Sequence, residues 1–512
     1  MVVAAERLAA DAGAEMLRQG GTACDAAAAT ALALGVVEPA SSGIGGGGFF
    51  LIRTADGQAW FLDARETSPR RAGRGEPYRE HSSIDGPQAA GVPGLLAGVD
   101  ALLARCGRLD RATIAAPAIR LAEEGFVVNA RLARMIRFRR QAFNEAARRT
   151  FDKRLGERIV QKALAQTLKR YARFGARDFY RGRTARLLVA DLRRAGGWIT
   201  MQDLAGYQAK WRKPITFRWH GMQVISAPPP SSGGMTLAHM FGQLAHDKPM
   251  RLAEDARVHL LVEVMKRAYF DRNRFLGDPD FVPIPRDYLD LARLLRLRRS
   301  IDPMRATPAA AIGRIAPPSG QGADTTHLSV LDRDGNIVSA TLSINYPFGS
   351  AWLSPRTGIL LNDEMDDFAL GRPNAYGLVQ GRANRPAPGK RMLSSMTPTI
   401  AIDGDRVFVV GTPGGSRIIT MVFLALLRFH AGGNPKDWVA APRFHHQHLP
   451  DRIQYEPQAF DEATKAKLRA RGHRLQQVRR YGNMQAILWN RRTGEVLGLS
   501  DPRGRGASVR VR

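Results

Sequence analysis

The residues best placed to do chemistry form one short run, Asp324-Thr325-Thr326-His327-Leu328-Ser329-Val330-Leu331, followed by Asp334-Gly335-Asn336. A threonine hydroxyl is a weak nucleophile until a base takes its proton. The α-amine of the same residue can be that base, since its ordinary pKa is about 7.7–8.0, but only when the threonine is first in its chain. Internal Thr325 reaches that state if its Oγ attacks the Asp324 carbonyl, the acyl group shifts from nitrogen to oxygen, and water hydrolyses the ester. The 512 residues would then be a precursor. The same run also reads as a plain strand, turn and strand, and the pattern alone leaves that alternative open.

Two other sets of residues could serve such a nucleophile. Thr341, Ser343 and Asn345 alternate, so they project from one strand face as two hydroxyls and an amide. A solvated row has the same pattern. Gly411-Thr412-Pro413-Gly414-Gly415-Ser416 stands between a strand and a helix. Two successive glycine amides at a helix N-terminus can hold an oxyanion, although most such pairs are plain turns. Gly45-Gly46-Gly47-Gly48 lacks the Gly-Lys-Ser/Thr ending of a phosphate loop, so nucleotide binding is set aside.

The elements that must hold these residues follow from periodicity. Residues 4–20 have helical spacing and end at Gly20-Gly21. Residues 49–52 and 58–62 form a hairpin across Ala55-Asp56-Gly57. Residues 111–197 are mainly helical, 215–225 return to strand, and 228–234 are a rigid turn before a helix. A further helix covers 257–275. Residues 303–322, rich in Ala, Pro and Gly, break the pattern as a linker, or as a segment that moves once the bond at Thr325 is cut. Strands then recur at 327–331, 336–344, 358–361, 399–402 and 407–410, with a helix at 420–428. Layered strands and helices around Thr325 imply an α/β sandwich.

Composition bounds the rest. Hydrophobic content of 44% and charged content of 24% are those of a globular protein, and no apolar run is long enough for a membrane helix. Residues 1–5 lack the features of a signal peptide. Cys24 and Cys106 are too few for a disulfide framework and lack metal-ligand spacing, so the compartment stays open. The net charge of +29 raises a nucleic-acid reading. Its densest cluster, residues 131–194 with Arg137, Arg139, Arg140, Arg148 and Arg149, lies in helix-like sequence and matches no nucleic-acid motif. It reads as a solvated helical face.

The run from Thr325 to Asn336, then Thr341-Leu342-Ser343-Ile344-Asn345 and Phe348-Gly349, resembles the γ-glutamyltranspeptidases (glutathione hydrolases), self-cleaving members of the N-terminal nucleophile hydrolase superfamily. Ser42 to Phe49, Pro228 to Gly234, Gly277-Asp278-Pro279, Leu361 to Phe368, Pro413 to Arg417 and Asp501-Pro502-Arg503 extend the resemblance over nearly the whole chain. It implies an αββα sandwich of the N-terminal nucleophile hydrolase type, assembled from two fragments: 1–324, the large subunit, and 325–512, the small catalytic one. Cleavage would fall between Asp324 and Thr325. Thr325 would be the nucleophile, Ser343 would stand where the family usually has a second Thr, and Gly414 and Gly415 would supply the oxyanion amides. Arg65, Ser394 and Ser395 would hold the α-carboxylate of a γ-glutamyl group, and Asn345, Glu364 and Asp367 its α-ammonium. Residues 368–390 match the family's lid, with Tyr376 in its aromatic portion.

The activity implied is γ-glutamyl transfer from glutathione or related amides to water or an amine, with no cofactor, no metal, no nucleic acid and no membrane span. The resemblance places such enzymes in the periplasm or outside the cell if a leader was trimmed. A cephalosporin or glutaryl acylase of the same fold is the alternative; a non-enzymatic basic protein that binds nucleic acid is a third.

Overall fold

Thirteen strands carry the chain's alternating segments into two antiparallel sheets. This computed structural model describes residues 1–313, 325–378 and 380–511. The strands are β1 (Val2–Ala4), β2 (Gly47–Arg53), β3 (Ala59–Ala64), β4 (Lys210–Arg212), β5 (Ile215–Trp219), β6 (Met222–Ser226), β7 (Thr326–Leu331), β8 (Ile337–Ser343), β9 (Thr399–Asp403), β10 (Arg406–Gly411), β11 (Gln485–Asn490), β12 (Val496–Ser500) and β13 (Ala507–Val509). The first sheet runs β13-β1-β7-β8-β2-β3-β4 and the second β12-β11-β10-β9-β6-β5.

Strand periodicity splits the core in two. Phe50 and Ile52 of β2 join Leu328, Val330, Ala340 and Leu342 in a core with the helices α1 (Arg7–Arg18), α2 (Ala23–Val37) and α3 (Leu95–Cys106). Phe49 and Leu51 point the other way, into a core shared with the second sheet. Beyond that sheet, α4 (Gly233–Gln243) and α6 (Arg417–Ala431) pack on its strands and α5 (Glu254–Phe275) packs on α4. Successive side chains on a strand face opposite sides, so a strand apolar at every position must be covered on both. The result is the αββα sandwich expected from the sequence.

Helix α2 is buried at every position, and its alanines let it sit close to the sheet. Thr22 and Asp25 cap it reciprocally, with Asp25 Oδ2 accepting the Thr22 N–H at 2.7 Å. Cys24 in its first turn is bonded to Cys106 at the end of α3, across 82 residues and with Cα atoms 5.8 Å apart. Two cysteines make no framework, but they do make one bridge, which the spacing did not disclose. Closing a loop of that length removes about 4.5 kcal/mol of unfolded-state entropy in the chain-entropy account. Replacing both cysteines with Ser is expected to lower the thermal midpoint by several degrees. Reductant should produce the same fall in the wild type and none in the variant; equal midpoints throughout would contradict a stabilising bridge.

Three expectations need correction. Residues 358–361 form no strand, only isolated bridges between Leu353 and Leu360 and between Gly45 and Leu361, because Gly358 turns the chain at φ 68°. Arg139 is not on a solvated face: it is buried, donates to the carbonyls of Pro347 and Gly349, and pairs with Asp85 at 2.7 Å. The linker contains a short helix, Ala309–Ile312; residues 314–324, including Asp324, lie outside the described residues. Among the described residues no helix is long and apolar enough to cross a membrane.

Candidate active site

Thr325 immediately precedes β7 and is 3% exposed. In the ladder between β7 and β8, Leu342 lies across from Thr326, so one further step sets Ser343 opposite Thr325. Opposed side chains in such a pair have Cβ atoms about 4.5–5.5 Å apart, close enough for their hydroxyls to meet. Ser343 Oγ accepts the Asn345 N–H at 2.8 Å, which leaves its own proton free to donate. The hydroxyl row is not one functional unit, however. Thr341 Oγ1 lies 2.8 Å from Nδ1 of the buried His327, and burial pushes that imidazole down to about 3. It is therefore neutral, and it belongs to the sheet interior. Asn345 lies beyond the end of β8 at φ 74°, a conformation asparagine adopts more readily than most residues.

Thr325, Ser343, Asn345, Arg65, Asp367, Ser394, Ser395 and Gly415 line one cleft, together with Tyr376, Met396 and Ser416. The segments that bring them together are far apart in sequence. Gly46 permits a close approach: a Cβ there would lie 2.3 Å from the Ser343 carbonyl oxygen. The glycine run thus lets the chain cross the end of β8, which accounts for it without any phosphate.

Arg65 follows directly after β3 and is the cleft's buried cation. Its Nη1 lies 2.6 Å from Glu364, its Nη2 lies 2.6 Å from Asp367, and Glu66 is 3.6 Å away. Burial opposes its charge, but these carboxylates outweigh burial and raise its pKa. Burial pushes Glu66 up to about 7, and it pushes Glu364 well above its ordinary value against the pull of Arg65. The expected cationic and anionic groups therefore meet, with one difference. Glu364 sits behind Arg65 rather than on the cleft wall, and Asp367 is the carboxylate that faces the cleft.

The two serines also keep a donor free. Ser394 Oγ accepts from the Met396 N–H at 3.1 Å, and Ser395 Oγ accepts from Arg272 Nη2 at 3.1 Å. Arg272 escaped the sequence reading. It lies in the last turn of α5, is fully buried, and among the described residues donates only to the neutral groups Ser232, Asn273, Gln380 and Ser395. A buried guanidinium without a carboxylate partner is costly, so positive potential is concentrated behind Ser395. An Arg that breaks the apolar spacing of a helix was its only trace in the sequence.

Gly414 and Gly415 turn the chain from β10 into α6 at φ 146° and 56°. Their carbonyls accept from Arg417 and Ile418, while neither glycine N–H donates to a protein acceptor among the described residues. The free amides at a helix N-terminus suit an oxyanion. The Tyr376 ring packs on Gly415, where a Cβ would lie 2.3 Å from the ring, and its hydroxyl donates to the Asn345 carbonyl at 2.9 Å. Tyr376 therefore spans the cleft from above. The segment carrying it is anchored by Asn374 Nδ2 on Asp367 at 3.0 Å and by the Ala375 N–H on Asp366 at 2.7 Å. Asp367 thus serves both Arg65 and the covering segment.

Comparison with known proteins shows the family. Residues 9–511 match the family profile described as Gamma-glutamyltranspeptidase. The chain is 41% identical over 510 residues to a glutathione hydrolase proenzyme of Pseudomonas sp. (strain A14), covering 95% of this chain and 88% of that protein. Among solved structures, a cephalosporin acylase from Bacillus halodurans superposes with a TM-score of 0.87 at 28% identity, covering 100% of this chain and 96% of that one. A gamma-glutamyltranspeptidase from Pseudomonas nitroreducens, solved with L-DON, is 36% identical with a TM-score of 0.58, covering 60% of this chain and 96% of that one. With the profile matched across almost its whole length, the chain belongs to the gamma-glutamyltranspeptidase family.

Proposed function

We propose that this protein is a γ-glutamyl hydrolase and transferase acting on glutathione and related γ-glutamyl amides, and that it matures by cutting itself before Thr325. The observation that carries this reading is the convergence of Thr325, Arg65, Asp367 and the free Gly415 amide in one cleft. Residues 1–324 and 325–512 are the two subunits. Once Thr325 is an N-terminus, its α-amine takes the Oγ proton as Oγ attacks the γ-carbonyl carbon. The Gly414 and Gly415 N–H groups receive the negative charge that develops on the carbonyl oxygen. The C–N bond breaks, the amine leaves with the proton, and a γ-glutamyl ester remains on Thr325. Water or an acceptor amine then attacks that ester by the reverse geometry. Ser343 orients the Thr325 hydroxyl.

The substrate's α-carboxylate lies between Arg65 and the free protons of Ser394 and Ser395, with Arg272 behind them. Its α-ammonium lies against Asp367 and Asn345, with Glu364 holding Arg65 in place. A zwitterion needs both signs in one cleft, and both are there.

The superposition on a cephalosporin acylase favours a second reading, an acylase of the same fold that takes glutaryl groups, which carry no ammonium. Such groups would leave Asp367 without a cation from the substrate. The test is kcat/KM of the purified enzyme on γ-glutamyl-p-nitroanilide and glutaryl-p-nitroanilide. The proposal expects the γ-glutamyl compound to be favoured by about 100-fold or more, in line with a lost charged contact. Equal values, or a preference for glutaryl, would sink it.

A further inference from the structure

Beyond the cleft lies a groove of about 820 Å³, by far the larger space. Tyr376 and Ser416 line both, so the two are continuous. The oxyanion glycines straddle the junction: Gly415 lines the cleft and Gly414 the groove. A carbonyl held by both amides therefore has its acyl side in the cleft and its amine side in the groove.

The groove's charge is one-sided. Among the described residues six arginines line it and no Asp or Glu does. Two are neutralised, Arg131 by Glu38 at 2.5 Å and Arg503 by Asp501 at 3.0 Å. Four are not. Arg134, Arg479 and Arg480 are exposed and make no ion pair among the described residues. Arg417 bonds through Nε and Nη2 to the neutral Gln454 at 2.9 and 2.8 Å and stacks over Tyr481 at 4.7 Å. Unpaired guanidinium groups in a concave wall concentrate positive potential and fit carboxylates with paired N–H donors.

We propose that this groove receives the amine portion of the scissile amide and selects amines bearing two or more carboxylates, such as short acidic peptides. The inference rests on the γ-glutamyl reading of the cleft and adds the chemistry of the other half of the substrate. A leaving group with one carboxylate engages one arginine. An acidic di- or tripeptide engages several, and the gain falls as salt screens the exposed pairs.

The test uses the mature two-fragment enzyme and two donors that differ only in charge, γ-glutamyl-Gly-Glu-Glu and γ-glutamyl-Gly-Gln-Gln amide, with γ-glutamyl release followed by chromatography. The expected kcat/KM ratio favours the acidic donor by about tenfold or more at about 20 mM salt and falls towards one at about 0.5 M. The double variant Arg479→Gln, Arg480→Gln should lower the low-salt ratio to about threefold or less. Arg193→Gln, Arg194→Gln, also exposed but outside the groove, should leave the ratio at its wild-type value. A wild-type ratio near one, or a ratio the groove variant does not change, overturns the proposal while the cleft reading stands. Failure to hydrolyse either donor contradicts the cleft reading and removes this one with it.

Discussion

Thr325→Ala should yield a single uncut chain of 56.2 kDa, where the wild type yields two fragments. The same variant should lose at least about 10⁴-fold in turnover of γ-glutamyl-p-nitroanilide, since removal of a nucleophile leaves only binding and the oxyanion amides. One substitution thus tests two roles of one hydroxyl, cutting the chain and then the substrate. Thr325→Ser separates them from mere shape. Serine keeps the hydroxyl and the future α-amine but loses the methyl that restricts χ1. It should therefore still cut, more slowly, and retain measurable activity. Denaturing gels and a colorimetric assay read both outcomes. An alanine variant that cuts as fast as the wild type would place the nucleophile elsewhere.

Arg65→Met should be nearly as damaging, by a different route. The guanidinium lies 2.6 Å from both Glu364 and Asp367, and all three are largely removed from water. Taking away one partner of a buried ionic network costs about 3–5 kcal/mol, because the remaining charges are left without compensation. The variant should therefore unfold at lower denaturant concentration. Its kcat/KM on γ-glutamyl substrates should fall about 10³-fold, since the α-carboxylate loses its cation. Arg65→Lys restores a positive charge but not two diverging donors, so it should recover much of the stability and little of the activity. If Arg65→Met stayed within tenfold of the wild type while folding normally, the carboxylate role assigned to Arg65 would be wrong.

The layered sheet was legible because β7 and β8 alternate while β2 carries four successive apolar residues, so that both faces of the sheet must be covered. The opposite commitments of Phe49 and Phe50 are visible in the sequence as neighbours on a period of two, and each joins a different core. Thr325 and the Gly414-Gly415 turn were legible as chemistry but not as partners, since nothing in a linear pattern says that two elements 89 positions apart share a cleft. The resemblance to a family supplied that connection. What remained hidden depends on long-range pairing. Glu364 looks like a cleft residue in sequence but lies behind Arg65. Arg272 needed the fold to show a guanidinium whose partners among the described residues are all neutral. The bridge between Cys24 and Cys106 needed the approach of two helix ends. Thr341 and Ser343, two residues apart on one strand face, divide between a buried histidine and the cleft because β8 ends at Ser343, where the cleft begins.

The central claim is that Thr325 begins the catalytic fragment, and N-terminal sequencing of the purified enzyme's smaller fragment tests it most directly. The fragment should be roughly 20 kDa, the size of residues 325–512, and should begin Thr-Thr-His-Leu-Ser, as an N-terminal nucleophile requires. A fragment beginning at another residue, or an uncut chain that still turns over γ-glutamyl-p-nitroanilide, would contradict it.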